Sequence, residues 1–197
     1  MIKAFNKWGV EGISVTDPGI VDFITIAPKI VPKTGARYAG QKFHKSKVFI
    51  VERLINKLMV PGHKGKKHFR SSGHCTGKKA QAYMVVERAF ELIEQKLKKN
   101  PVEVFVVALQ NACPREEIVT IEYGGARYPK SVEVAPQRRV DITLRYMVQG
   151  AYSRAFGTKM SLVQAVAEEI MAAYKASAKS NAIAKKRDLE RQAASAK

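Results

Sequence analysis

The segment 61–79, PGHKGKKHFRSSGHCTGKK, carries Lys64, Lys66, Lys67, Arg70, Lys78 and Lys79 without a single acid. Cations at this density on a backbone rich in glycine and serine suit phosphate binding, because each lysine or arginine that neutralises a phosphate releases a counterion and the backbone can be moulded by its partner. A solvated linker is the plainer alternative, but like charges crowded together repel and gain stability from a polyanion. His63, His68, His74 and Cys75 lie in the same segment and invite a zinc reading. Their spacing fits no common paired-ligand pattern, and adjacent His74 and Cys75 are awkward to aim at one tetrahedral ion.

A second chemistry-bearing stretch is YGGARYPKSVEVAPQRR, residues 123–139. The Gly124-Gly125 pair between β-branched stretches signals a hairpin. Arg127, Tyr128 and Lys130 then fall just past the turn, and Arg138 and Arg139 at its base. A two-stranded ribbon of this kind can enter a groove or lie along a single strand, with the tyrosine stacking and the cations meeting phosphates.

Catalytic patterns are missing by comparison. No Ser-His-Asp or Cys-His constellation stands out, and GHKGKK does not follow a strand as a phosphate loop must. Cys113, just before a proline, reads as a small core residue. The chain reads as a non-enzyme without a cofactor.

What must position these residues follows from bulk properties and periodicity. The chain has 197 residues with 35 lysines and arginines against 17 acids, a formal charge of +18, which calls for a polyanionic partner. The basic residues are spread over several segments rather than set beside one apolar helical face, favouring nucleic acid over a membrane. No signal-peptide pattern opens the sequence, no apolar run approaches the roughly twenty residues of a membrane span, and two cysteines in different surroundings suit a reducing compartment. These features give the expectation of a soluble cytosolic protein.

Residues 1–47 are punctuated by Gly9, Gly12, Asp17-Pro18-Gly19, Pro28, Pro32, Gly35 and Gly40 and read as an irregular N-terminal arm, anchored by Trp8, Val10, Val21, Phe23, Ile24 and Ile26. Residues 48–176 read as a helical domain carrying the basic loop 61–79 and a hairpin at 117–136. The first helix places Val51, Leu54, Ile55, Leu58 and Met59 on one face and Glu52, Arg53, Asn56 and Lys57 opposite, ending at Pro61-Gly62. A second starts near Lys79. A third starts at Pro101 with Asn100 as its cap, a signal that outweighs the strand preference of its valines. A fourth follows Pro136 and closes at Gly157, and a fifth opens with Ser161 and Gln164 at capping-box spacing. Residues 177–197 form a basic tail or helix with too few large apolar side chains for deep burial. The fold class is mainly α, a bundle of five to six helices with one protruding β-hairpin.

Taken together, GGARYPKSVEVAPQRR, IVERLINKLMVPG, NPVEVFVVALQN and NAIAKKRDLER resemble the universal S-seven family of small-subunit ribosomal proteins. KWGVEGISVTDP and GARYAGQKFHK extend the resemblance toward the archaeal and eukaryotic branch, and the lysine- and histidine-bearing loop toward its archaeal type. The resemblance implies a cytoplasmic protein of the small ribosomal subunit that binds the 3' major domain of 16S rRNA and nucleates assembly of the head. It also implies a hairpin near exit-site tRNA and mRNA, with head and platform proteins as neighbours. Matching positions give Gly124, Gly125 and Tyr128, and together with Arg127 and Lys130 just past the turn these make the expected tRNA- and mRNA-facing hairpin, although Lys130-Ser131 depart from the bacterial pattern of an apolar residue and proline. Charge and resemblance give the rRNA-binding set as Lys42, Lys45, Lys47, Lys64, Lys66, Lys67, Arg70, Lys78, Lys79, Arg138, Arg139, Lys185, Lys186 and Arg187. Two rivals remain: a free-standing non-specific nucleic-acid-binding protein, and a metal-dependent enzyme using the histidine loop.

Overall fold

Proline and glycine punctuation cuts the chain into helices whose apolar faces converge. The computed structural model describes the backbone of residues 2–64, 67, 68 and 73–197, and side chains of these residues outside 63–72. Along the described residues run α1 (Ile50–Leu58), β1 (His63–Lys64), β2 (Lys67–His68), α2 (Lys79–Leu97), α3 (Pro101–Ala112), β3 (Glu116–Tyr123), β4 (Ala126–Glu133), α4 (Pro136–Ala155), α5 (Leu162–Tyr174) and α6 (Asn181–Ala194). The architecture is mainly α with a protruding hairpin, as the residue patterns predict.

Local signals set the helix starts. The Asn100 side chain accepts a hydrogen bond from the Val102 N–H at 3.0 Å, with Pro101 at the first helical position of α3. The Ser161–Gln164 capping box is formed at α5, and the Ser180 hydroxyl accepts from Ile183 N at the start of α6. Apolar faces of α2, α3, α4 and α5 meet in one core that includes Phe90, Phe105, Leu109, Leu144, Met147 and Ile170.

Residues 2–47 contain no long helix, only short 3-10 turns at Val21–Phe23 and His44–Lys47, but they are packed rather than loose. Ala4, Phe5, Trp8, Ile20 and Ile24 are buried, and Phe5 and Trp8 meet Phe90 edge-on. Val10 and Ile26 lie partly buried on the core, whereas Val21, an expected anchor, faces outward from its short turn. Ile50 N donates to Thr25 O at 3.0 Å, stitching this segment to the start of α1.

Helix α1 corrects the sequence expectation. Glu52 and Arg53, assigned to a wet face, are buried along with Ile50, Val51, Leu54, Ile55 and Leu58. The physical reason is that the arm folds across that face and brings hydrogen-bond partners with it.

Candidate nucleic-acid interface

The carboxylates decide which cations of the chain remain available. Glu52 Oε1 accepts from Thr34 N at 2.8 Å, Thr34 Oγ1 at 3.1 Å and Lys79 Nζ at 2.8 Å, tying the arm and the start of α2 to α1. Asp141 on α4 takes Lys45 Nζ at 3.1 Å and Arg53 Nη2 at 3.3 Å, and Arg53 Nη1 donates to Phe23 O at 2.8 Å. Burial raises the Asp141 pKa, but the Lys45 hydrogen bond and the fields of Arg53, Lys45 and Lys57 outweigh it, so the carboxyl sits below its ordinary range. Arg53 is pulled down by burial against the opposing field of Asp141.

Arg139, expected among the phosphate contacts, is instead an internal strut. Its Nη2 lies 2.7 Å from Asp17 Oδ2, its Nε donates to Pro114 O at 3.0 Å, and it is 8% exposed. Asp17 also accepts from Gly19 N at 2.9 Å, and a Cβ on Gly19 would meet Arg139 Nη1 at 2.7 Å. The Asp17-Pro18-Gly19 turn therefore exists to clamp this guanidinium; the turn was legible in sequence, its target was not. Burial raises the Asp17 pKa, but the Gly19 N–H and Arg139 more than offset it and hold the carboxyl low.

The tail is clamped in the same manner. Glu169, buried on α5, accepts from Ser180 Oγ at 2.8 Å and Ala182 N at 3.1 Å, and Arg154 Nη2 lies 3.1 Å from its other oxygen without hydrogen-bond geometry. Burial pushes its pKa up in spite of these partners. Lys186 Nζ donates to Asn111 O at 2.8 Å, Arg187 donates to Ala176 O at 3.3 Å, and Lys185 sits 3.7 Å from Asp188.

The remaining expected contacts separate by position. Lys42 is exposed; Lys47 is exposed and donates to Gln41 at 2.9 Å; Lys78 donates to His74 O at 2.9 Å. Arg138 forks onto Glu117 at 2.8 and 2.9 Å at the hairpin base, which raises its pKa. Lys66 and Arg70 lie outside the described residues, as do the side chains of Lys64, Lys67, His63 and His68. Among the described residues no group of three or more His, Cys, Asp or Glu could hold a metal. Cys75 Sγ donates to Gly73 O at 3.2 Å, and Cys113 is buried beside Thr143, burial pushing its thiol up.

In the hairpin, Gly124 and Gly125 both have positive φ, 59° and 80°, the signature of a two-residue type I′ turn between strands paired from Tyr123↔Ala126 to Glu116↔Glu133. Opposed residues share a face, so the register puts Val119, Ile121 and Tyr123 with Lys130 and Tyr128, and leaves Arg127 opposite Glu122 on the reverse face. Tyr123 is 81% exposed, Tyr128 57%, Ile121 46% and Val119 43%. The apolar half of this stripe is not among the basic residues expected to bind, although alternation in IVTIEY encodes it. The hairpin base rests on the tail: Ser131 N donates to Ala196 O at 3.2 Å and Lys197 pairs with Glu116 at 2.8 Å.

A body knitted by buried acids, an excess of outward lysines and an exposed aromatic ribbon can bind a polyanion and stack bases. The family model described as Ribosomal protein S7p/S5e matches residues 23–197. The chain belongs to that family. It is 49% identical over 196 residues to the small ribosomal subunit protein uS7 of Nanoarchaeum equitans, covering 100% of this chain and 99% of the relative. It is 46% identical over 196 residues to the corresponding protein of Archaeoglobus fulgidus, covering 100% and 95%. Membership in the S7p/S5e family makes the chain a structural ribosomal protein rather than an enzyme, and RNA binding and a part in translation follow from it. None of its described helices is long and apolar enough to cross a membrane.

Proposed function

We propose that the protein binds the 3' major domain of 16S rRNA in the small ribosomal subunit of the cytoplasm, and pins converging RNA helices during assembly of the head. The observation that carries this reading is family membership along essentially the whole chain. Affinity comes from phosphate neutralisation by Lys42, Lys45, Lys47, Lys64, Lys66, Lys67, Arg70, Lys78, Lys79, Arg138, Lys185, Lys186 and Arg187, with Lys45, Lys79 and Arg138 retaining their protein carboxylates as second partners. Specificity comes from RNA shape and unpaired bases. The hairpin faces exit-site tRNA and mRNA with the Tyr123 and Tyr128 stripe, and neighbouring head and platform proteins pack nearby.

The test is a salt series with a 3' major-domain fragment and duplex DNA of equal length. Both affinities fall by roughly 10³ to 10⁵-fold from 50 to 200 mM salt if six to ten phosphates are engaged. The rRNA preference persists as salt rises; superimposed curves would leave only a generic polycation. Deleting 124–130 leaves fragment affinity intact while altering tRNA or mRNA handling, and neutralising the loop cations reduces fragment affinity. Equal losses from both changes would refute this division of labour.

A further inference from the structure

Between the arm and α1 lies a cleft of about 550 Å³ walled by Lys33, Tyr38, Lys45, Glu52, Arg53 and Lys57. Its volume falls within the usual range for small-molecule sites. Two polar atoms of its walls lack hydrogen-bond partners although buried: Glu52 Oε2, an acceptor, and Arg53 Nε, a donor. The other oxygen of Glu52 is fully engaged by Thr34 and Lys79, and the two Nη atoms of Arg53 by Phe23 O and Asp141. Unmet groups of this sort cost stability unless a ligand or water answers them.

Three features define the occupant. A free acceptor and a free donor on two adjacent residues that wall the cleft match a planar group that presents both an N–H and a lone pair. Tyr38 supplies an aromatic wall. The rim is cationic, and Lys57 among the described residues makes no ion pair; burial together with Lys45, Arg145 and Arg53 disfavours its charge against the field of Asp141, so an anion there gives relief. A planar donor–acceptor body joined to a phosphate is a nucleotide.

We propose that this cleft receives one unpaired nucleotide of the bound RNA, its base among Tyr38, Glu52 and Arg53 and its phosphate against Lys33, Lys45 and Lys57. The assignment rests on the rRNA-binding reading and adds to it a base-holding site that phosphate contacts alone do not supply. A free mononucleotide shares the chemistry, so the probes must separate the two sources.

The experiment titrates the full chain, carrying Tyr123→Ser and Tyr128→Ser to silence stacking at the hairpin, with four probes. These are hexa-adenylate, a purine-riboside hexamer lacking the amino group, an abasic ribose-phosphate hexamer, and AMP. Hexa-adenylate binds about fivefold or more tighter than the abasic strand, in keeping with the worth of one stacked base, and the amino-less hexamer falls between. Ala39→Trp, which fills the cleft, abolishes this difference, while abasic binding loses no more than the contacts of one phosphate and its salt slope falls by at most about one. Should Ala39→Trp melt early, Tyr38→Ala replaces it with the same expected loss. Equal binding of adenylate and abasic strands, or a difference that survives filling the cleft, overturns the site. AMP binding as tightly as the hexamer makes the occupant a free nucleotide and overturns the RNA assignment. A persisting preference for the rRNA fragment with no base dependence removes the cleft alone; loss of that preference removes the reading beneath it.

Discussion

The clamp around Arg139 and the cross-strand pair at the hairpin tip use the same chemistry to different ends. Arg139 and Asp17 approach to 2.7 Å with side chains 9% and 19% exposed, and between them they join the arm to α4. Arg127 and Glu122 approach to 3.6 Å with side chains 76% and 63% exposed, and they join neighbours that the strand register already holds together. Exposed pairs are worth little because water screens them, whereas a charge left alone in the interior costs several kcal/mol. The buried acids of this protein thus fix tertiary structure, while the hairpin's charges and rings lie at the surface.

Breaking the clamp gives the largest expected effect. Asp17→Ala strands the buried Arg139 guanidinium and lowers stability by about 3 kcal/mol in urea unfolding, with the arm released first in hydrogen exchange at Trp8 and Ile24. A loss near zero would show that the clamp is no firmer than a surface pair. Gly150→Ala comes next: its Cβ would sit 2.6 Å from Asn181 Cβ and 3.1 Å from the Glu169 carboxyl carbon, where α4 meets the tail. Overpacking there costs roughly 1–3 kcal/mol, read as a lowered thermal midpoint.

Acid sharpens the contrast further. Asp17 and Asp141 have depressed folded pKa values, so their contribution is fully present above the unfolded value of about 4 and is lost as pH falls through the lower folded values. Glu169 runs the other way: its raised folded pKa means a contribution present below the unfolded value and lost as pH climbs through the folded one. Asp141→Asn therefore shows a shallower decline in unfolding free energy below pH 4 than the parent protein. An unchanged slope would place the acid sensitivity elsewhere. The smallest effect on stability belongs to Tyr123→Ser with Tyr128→Ser, within about 0.5 kcal/mol because both rings are exposed. The same pair of changes weakens single-stranded RNA binding at the hairpin, measured by anisotropy.

Much of the local architecture was legible in the residues. Asn100-Pro101, Ser161 with Gln164 and Gly124-Gly125 state where two helices and a turn begin, because capping and positive φ are settled within a few residues. Periodicity gave Val51, Leu54, Ile55 and Leu58 as a buried face of α1 for the same reason: side-chain direction along a helix is a local matter. Glu52 and Arg53 read as wet because periodicity judges α1 as though only one side were covered, and it has no access to an arm returning from residues 23–46. Likewise Arg138 and Arg139 are indistinguishable as sequence, yet the first reaches Glu117 at the surface and the second Asp17 in the interior.

Local residue patterns thus specify the helices, the turn, the net charge that calls for a polyanion and the family motifs. Which charges lie at the surface and which are buried follows only from the tertiary packing. Whether a cation is a binding group or a buried strut depends on desolvation and on carboxylates tens of residues away, and no local pattern records either.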